Sequence, residues 1–269
     1  MEIEVKKNED NTSDELVFIL KNVETPFVNA IRRAAMMEVP KLAIEDVNII
    51  VNDSAMFNEV LAHRLGLVPL NSDKEALEGL IDENSTVSFT LNKVNDTEET
   101  IFVYSKDLTS NDPKIKPVFD TIPLLKLKKG EKVDLEAVAK LGNGRSHAKW
   151  MPTVVCAYKQ YPDISFVEGK TVSKSVVDSC PRNILSFNED TKEVSVNNVE
   201  NCSMCKTCVR TSQNDSNDMK SAINIGYIED TFIFRIETDG SMSPEEVLLN
   251  ACDVLNQKSD KFITFFKGG

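Results

Sequence analysis

Four of the six cysteines fall within one 29-residue window: Cys180, which precedes Pro181, and then Cys202, Cys205 and Cys208 at a repeated x2 spacing. Three thiolates so spaced surround one tight loop. Successive peptide N–H groups of such a loop can turn inward toward a central anion. The chain opens Met1-Glu2-Ile3-Glu4-Val5, with no basic stretch leading into an apolar one, so no signal peptide is expected. No apolar run reaches the roughly 18 residues that span a bilayer, and a cytoplasmic location follows as an expectation. In a reducing compartment, clustered cysteines hold metal more often than they form disulfides.

A cubane iron–sulfur cluster needs four thiolates, and in the run C-x2-C-x2-C-x3-C-P the fourth cysteine serves the cluster held by the other run. Cys202-x2-Cys205-x2-Cys208 with the remote Cys180-Pro181 resembles one half of a two-cluster ferredoxin. The resemblance implies one [4Fe–4S] cluster on Cys180, Cys202, Cys205 and Cys208. It also marks where a second cluster is missing. The matching positions hold Lys170, Ser173 and Val176 before Cys180, and Ser212 after Cys208. Ile184 to Phe187 and Glu193 to Val196, around Asn188-Glu189-Asp190, resemble the short hairpin of a ferredoxin half. A structural zinc on the same four thiolates, or a disulfide pair, are the other readings of these cysteines; zinc sites usually pair two C-x2–4-C knuckles. Cys156 and Cys252 sit in apolar stretches and read as buried thiols.

The elements that must position this window are read from periodicity. Residues 1–20 read as two strands around a polar turn at Asn8 to Asp14. Thr25-Pro26 opens a helix whose apolar stripe is Phe27, Ala30, Ile31 and Ala34, ending near Val39-Pro40. Residues 42–51 read as a strand, and Asn52-Asp53-Ser54 as the cap of a second helix, 54–65, closed by Gly66. Strands around Val87 to Leu91 and Ile101 to Tyr104 are expected to pair as a hairpin across Asn95-Asp96-Thr97. Lys126 to Lys132 is a charged turn around Gly130, and Gly142-Asn143-Gly144 a loop. Thr153 to Tyr158 is a strand, and 223–238 a candidate hairpin. Ser243-Pro244-Glu245-Glu246 is a capping box opening a helix, 244–257, with Val247, Leu248, Ala251, Val254 and Leu255 on one stripe. The architecture implied is α+β, with one domain built from both chain ends and insertions between.

Composition narrows the function. The 269 residues are 41% apolar and 28% charged, ordinary for a globular protein. A net charge of −12 argues against a broad nucleic-acid surface. No phosphate-binding glycine motif is present, and acidic runs such as Glu9-Asp10 and Glu98-Glu99 read as solvated turns. The only histidines, His63 and His147, belong to no Cys/His or Ser/His/Asp pattern. Taken alone, the chain reads as a scaffold or an electron carrier.

Asn29-Ala30-Ile31-Arg32-Arg33, Val39-Pro40 and Ala43-Ile44-Glu45-Asp46-Val47, followed by Phe57 to Leu70 (FNEVLAHRLGLVPL), resemble in order and spacing the alpha-like subunits of RNA polymerase. His147-Ala148-Lys149-Trp150-x-Pro152 resembles a further motif of that family, and the ferredoxin-like insertion resembles its archaeal branch. The resemblance implies a discontinuous dimerisation domain (1–47 and 223–269), an inserted mixed α/β domain (48–164) and a ferredoxin-like iron–sulfur domain (165–222). It implies a non-catalytic assembly subunit of DNA-directed RNA polymerase. Such a subunit pairs with the small L subunit, joins the N and P subunits, and nucleates assembly of the large catalytic subunits, with no direct DNA contact and no membrane. Partner-binding residues implied are Phe27, Asn29, Ile31, Arg32, Arg33, His63, Arg64, Leu248, Val254 and Leu255. The competing class is a ferredoxin-type electron-transfer protein or oxidoreductase subunit, which has no need of the 29–70 motifs or the C-terminal helix.

Overall fold

The structure is a computed structural model that describes residues 1–6, 14–78, 85–216 and 219–267. In chain order the elements are β1 (Glu2–Lys6), β2 (Glu15–Lys21), α1 (Thr25–Met37), β3 (Pro40–Asn52), α2 (Asn58–Gly66), α3 (Lys74–Leu77), β4 (Thr86–Val94), β5 (Ile101–Tyr104) and β6 (Thr109–Ser110). They continue with β7 (Pro123–Leu127), β8 (Lys132–Asn143), β9 (Thr153–Phe166), α4 (Lys174–Asp178), β10 (Leu185–Phe187), β11 (Val194–Val196), α5 (Thr207–Asp215), β12 (Ile223–Thr238) and α6 (Pro244–Lys267). The architecture is α+β. Residues Asn8 to Ser13 of the expected first turn, with Glu9-Asp10, lie outside the described residues. Among the described residues no helix is long and apolar enough to cross a membrane.

The described residues divide into two compact units, one of 1–6, 17–27, 158–216 and 219–234, the other of 14–16, 28–78, 85–157 and 235–267. The first is organised on a sheet of order β1-β2-β12-β9, so strands from near both chain ends meet in it, as the pattern predicts. β1 and β2 are antiparallel, with Ile3 opposite Leu20. Phe18 stacks on Phe234 with ring centroids 5.1 Å apart, and Tyr158 meets Phe232 edge-on at 5.7 Å; such aromatic pairs add to the area they bury. The expected hairpin at 223–238 does not form. Residues 223–238 are one strand with neighbours on both sides, and Gly226 does not take the left-handed φ that a tight turn would use. The cysteine-rich insert adds α4, the β10–β11 hairpin and α5. That hairpin is antiparallel with Ser186 opposite Ser195, at the expected place. Val172, Val176, Val177, Ile184, Leu185, Ala222 and Ile223 form its core, together with Cys202 and Cys208.

The second unit has a sheet of order β3-β8-β4-β6 and a separate β5-β7 pair. β8 is its central strand, antiparallel to β3 and β4, and its buried Val133, Leu135, Ala137 and Ala139 alternate at period two. β8 runs through Gly142 and Asn143, where a loop is expected, and carries Gly142 under the Trp150 ring. The expected β4–β5 hairpin is replaced by a change of sheet. Asn95 is buried; its Oδ1 accepts the Thr97 N–H at 2.9 Å, and its Nδ2 donates to the Glu99 and Leu127 carbonyls at 2.8 and 2.9 Å. Those bonds turn the chain away from β4 and hold it against the end of β7. The turn around Gly130, at φ +76°, is as expected.

Two helix readings shift. α2 starts at Asn58 because the Asn52 and Ser54 side chains close a turn of their own: Asn52 Oδ1 accepts from Ser54 and its Nδ2 donates to the Met56 carbonyl at 2.9 Å. Leu67, in a right-handed conformation, caps its C-terminus in place of Gly66. α1 buries Val28, Ile31, Ala34 and Ala35 and leaves Phe27 exposed, so its inward stripe is rotated by one residue. The Ser243–Glu246 capping box forms reciprocally, with Glu246 N–H to Ser243 Oγ at 3.2 Å and Ser243 N–H to Glu246 Oε2 at 3.3 Å. The helix it opens runs to Lys267, through Phe262, Ile263, Phe265 and Phe266.

Candidate functional site

The cysteine loop is built on unusual backbone. Cys202 follows a 3-10 turn, and the next residues fold back tightly because Met204 and Lys206 take left-handed φ values of 53° and 58°. Each costs a non-glycine residue about 1–2 kcal/mol, and strain of this kind concentrates at functional sites. The fold aims donors at sulfur: the Met204 N–H reaches Cys202 Sγ at 3.4 Å, and Thr207 Oγ1 reaches Cys205 Sγ at 3.3 Å. Cys180 arrives from the turn after α4, its N–H on the Val177 carbonyl at 3.1 Å.

Cys180, Cys202, Cys205 and Cys208 line one cavity, closed by Ile164, Pro181, Ile184, Leu185, Ile223 and Ile225. Cys202 and Cys208 are buried and Cys205 is exposed. Burial pushes the Cys208 thiol up, and the neighbouring Cys180, Cys202 and Cys205 push it further in the same direction. The hydroxyl and N–H of Thr207 pull Cys205 down. Four soft donors lining one apolar cavity are a donor set that suits a thiolate-bound group. Among the described residues no three His, Cys, Asp or Glu are grouped as they would be around a single metal ion.

Sequence reading missed the residue that holds this loop. Lys159 on β9 donates to the carbonyls of Glu200 and Cys202 at 2.5 and 2.8 Å, and Lys6 on β1 pairs with the Glu200 carboxylate at 2.9 Å. Burial lowers the Lys159 pKa. A lysine within a strand carries no local sign of such a role, since its partners are more than 40 residues away.

Of the four positions matching a second cluster, Lys170, Ser173 and Ser212 line a second, polar cavity together with Asp215, and Val176 lies in the insert's apolar core.

The helical residues fall into separate groups. On α1, Phe27 and Arg33 are exposed, Asn29 and Arg32 half-buried, and Ile31 buried. Arg32 is engaged locally: its Nε and Nη2 reach Asn29 Oδ1 at 3.2 and 3.1 Å. On α2, His63 and Arg64 are exposed, and the Arg64 guanidinium donates to the Pro123 carbonyl. Arg64 borders an apolar cavity with Phe57, Val60 and Phe102 that the sequence does not announce. On α6, Val247 and Ala251 are buried and Leu248, Val254 and Leu255 half-buried. From Asn256 on, all its described residues are exposed, including Phe262 at 67%, Phe265 at 77% and Phe266 at 69%. The Phe262 and Phe266 rings lie 4.9 Å apart. Exposed apolar stretches of this kind occur at surfaces that bind other molecules. The 147–152 motif acts within its own unit. The Lys149 ammonium lies 4.4 Å over the Trp150 ring, donates to the Ile44 carbonyl at 3.0 Å and pairs with Glu45.

Residues 17–259 match the family described as the RNA polymerase Rpb3/Rpb11 dimerisation domain. The chain is 58% identical to a DNA-directed RNA polymerase subunit Rpo3 of Methanobrevibacter smithii, covering 100% of this chain and 99% of the relative. It is 49% identical to the subunit of that name from Methanothermobacter thermautotrophicus, covering 97% and 98%. With that of Pyrococcus furiosus the identity is 34% over 95% and 94%.

Proposed function

The chain belongs to the RNA polymerase Rpb3/Rpb11 dimerisation-domain family, and from that premise we propose that it works as a non-catalytic assembly subunit of DNA-directed RNA polymerase in the cytoplasm. It pairs with the small L subunit. The pair then joins the N and P subunits and nucleates assembly of the large catalytic subunits, which carry out nucleotidyl transfer and meet the DNA. The observation that carries this reading is the second half of α6, which the described chain leaves uncovered. Phe27, Arg33 and the half-buried Leu248, Val254 and Leu255 are further candidates for partner contact. His63 and Arg64, exposed on α2, are candidates for contact with a large subunit, where arginine can bind carboxylates in a bidentate fork.

Truncating a central aromatic in an interface typically costs about 2–4 kcal/mol. Replacing Phe262, Phe265 and Phe266 together by Asp should therefore abolish co-purification with a co-expressed L subunit. Undiminished pairing of that variant, or no pairing of the parent chain, would overturn the reading.

Within this subunit, the domain reading stands as part of the proposal: 1–47 with 223–269 for dimerisation, 48–164 as the insert, and 165–222 as a ferredoxin-like domain. Cys180, Cys202, Cys205 and Cys208 would hold one [4Fe–4S] cluster. When bound, the cluster supplies four iron–thiolate links between the 180 and 202–208 segments of a domain with a small core. The chain's own part is to pre-shape the loop through Met204, Lys206 and Lys159. Support comes from the apolar cavity that all four cysteines line. Anaerobic purification should give about four iron and four sulfide per chain; stoichiometric zinc without sulfide would sink the cluster reading.

A further inference from the structure

The cavity lined by Lys170, Ser173 and Ser212 occupies the place at which the sequence pattern puts a second cluster. The residues there do not fit one, since an ammonium, two hydroxyls and the Val176 side chain replace the four thiolates that a cubane takes. Protein hydrogen bonds join the segments instead. Ser173 Oγ donates to Asp215 Oδ2 at 2.7 Å, and the Ser175 hydroxyl donates to the same oxygen. Ser212 Oγ accepts the Ala222 N–H at 2.8 Å, and Lys170 Nζ donates to the Lys220 carbonyl at 3.0 Å.

The placement of these bonds is specific. Ser173 stands just before α4 and Asp215 is the last residue of α5, so the carboxylate ties the start of one helix to the end of the other. Ser212 ties α5 to the segment entering β12. A cluster ligated from positions 170, 173, 176 and 212 would cross-link the approach to α4, α4 itself and α5. The hydroxyls also hold the Asp215 carboxyl below its ordinary range, as bonds to the charged form do.

We propose that the Ser173–Ser175–Asp215 lock replaces the second cluster as the staple of the insert, which leaves the domain with one metal-dependent half and one metal-independent half. The inference rests on the cluster reading of the cysteine loop. It predicts that removal of the cluster loosens 199–208 while the α4–α5 junction at Ser173 and Asp215 stays closed.

The test is hydrogen exchange on the full chain in complex with its small partner, before and after cluster removal by chelation. Removal should speed amide exchange in 199–208 and leave 209–215 within about threefold of its starting rate. Asp215→Ala should do the reverse: about a three- to tenfold rise in 209–215, with iron content unchanged. A four-cysteine graft (K170C, S173C, V176C and S212C), reconstituted anaerobically, should raise iron from about four to about eight per chain. Unchanged exchange in Asp215→Ala overturns the lock, and so does a folded graft that keeps its first cluster and gains no iron. If the graft fails to accumulate, Asp215→Ala decides alone. Failure of the parent chain to hold iron refutes the cysteine reading separately, because the Asp215→Ala exchange effect does not depend on it.

Discussion

Lys41 and Asp239 form a buried ion pair whose two halves should respond very differently to mutation. The Lys41 side chain is 4% exposed and the Asp239 side chain 21%. Besides Asp239, the ammonium has the Met151 carbonyl at 3.3 Å. The carboxylate keeps further donors, since its Oδ1 accepts the Ser241 N–H at 3.1 Å and the Ser241 hydroxyl at 2.5 Å. Asp239→Asn therefore leaves a buried cation with little compensation, and breaking a buried pair in this way costs about 3–5 kcal/mol. Lys41→Met leaves a carboxylate that retains two donors and some water, for about 1–2 kcal/mol. The double variant removes the orphaned charge and should be more stable than Asp239→Asn alone. The assay is urea unfolding at fixed subunit and partner concentrations, because partner binding shifts apparent stability. Equal losses in the two single variants, or a double variant that loses the sum, would refute the reasoning.

Two further outcomes follow from local geometry. A Cβ added at Gly142 would lie 2.5 Å from Trp150 Cδ2 and 2.8 Å from its Nε1, and the indole is held by its bond to the Lys140 carbonyl at 3.1 Å. Gly142→Ala should thus destabilise by about 1–3 kcal/mol, read as a lower melting temperature; an unchanged one would show that the ring moves freely. At Asp107 burial opposes ionisation, but the Lys93 ammonium and the Tyr104 N–H, each at 2.8 Å, outweigh it and lower the pKa. A lowered carboxylate stabilises the fold above its unfolded pKa of about 3.9 and loses that contribution as pH falls through the folded value. Asp107→Asn should flatten the acid limb of stability below about pH 4; an identical limb in the variant would count against it.

What the sequence by itself determined is what neighbouring residues encode. The x2 cysteine spacing, the Ser243–Glu246 box, the turn at Gly130 and the β10–β11 hairpin all rest on bonds within a few residues of one another. The family motifs were legible for the same reason, as ordered strings. The alternation of Val133, Leu135, Ala137 and Ala139 in β8 is likewise written in the local sequence.

Tertiary structure alone decided the rest. Nothing local in 223–238 separates a hairpin from one long strand; the availability of β2 and β9 as neighbours does. Asn95 sends β5 to another sheet because Leu127 offers a carbonyl 32 residues on. Lys41 meets Asp239 across 198 residues, and Lys159 holds the cysteine loop across more than 40. The cysteine spacing fixed which thiols were candidates, and the fold brought all four to one cavity. Turn and capping energies act over a few residues, whereas strand pairing and burial depend on which distant segments the packed chain brings together.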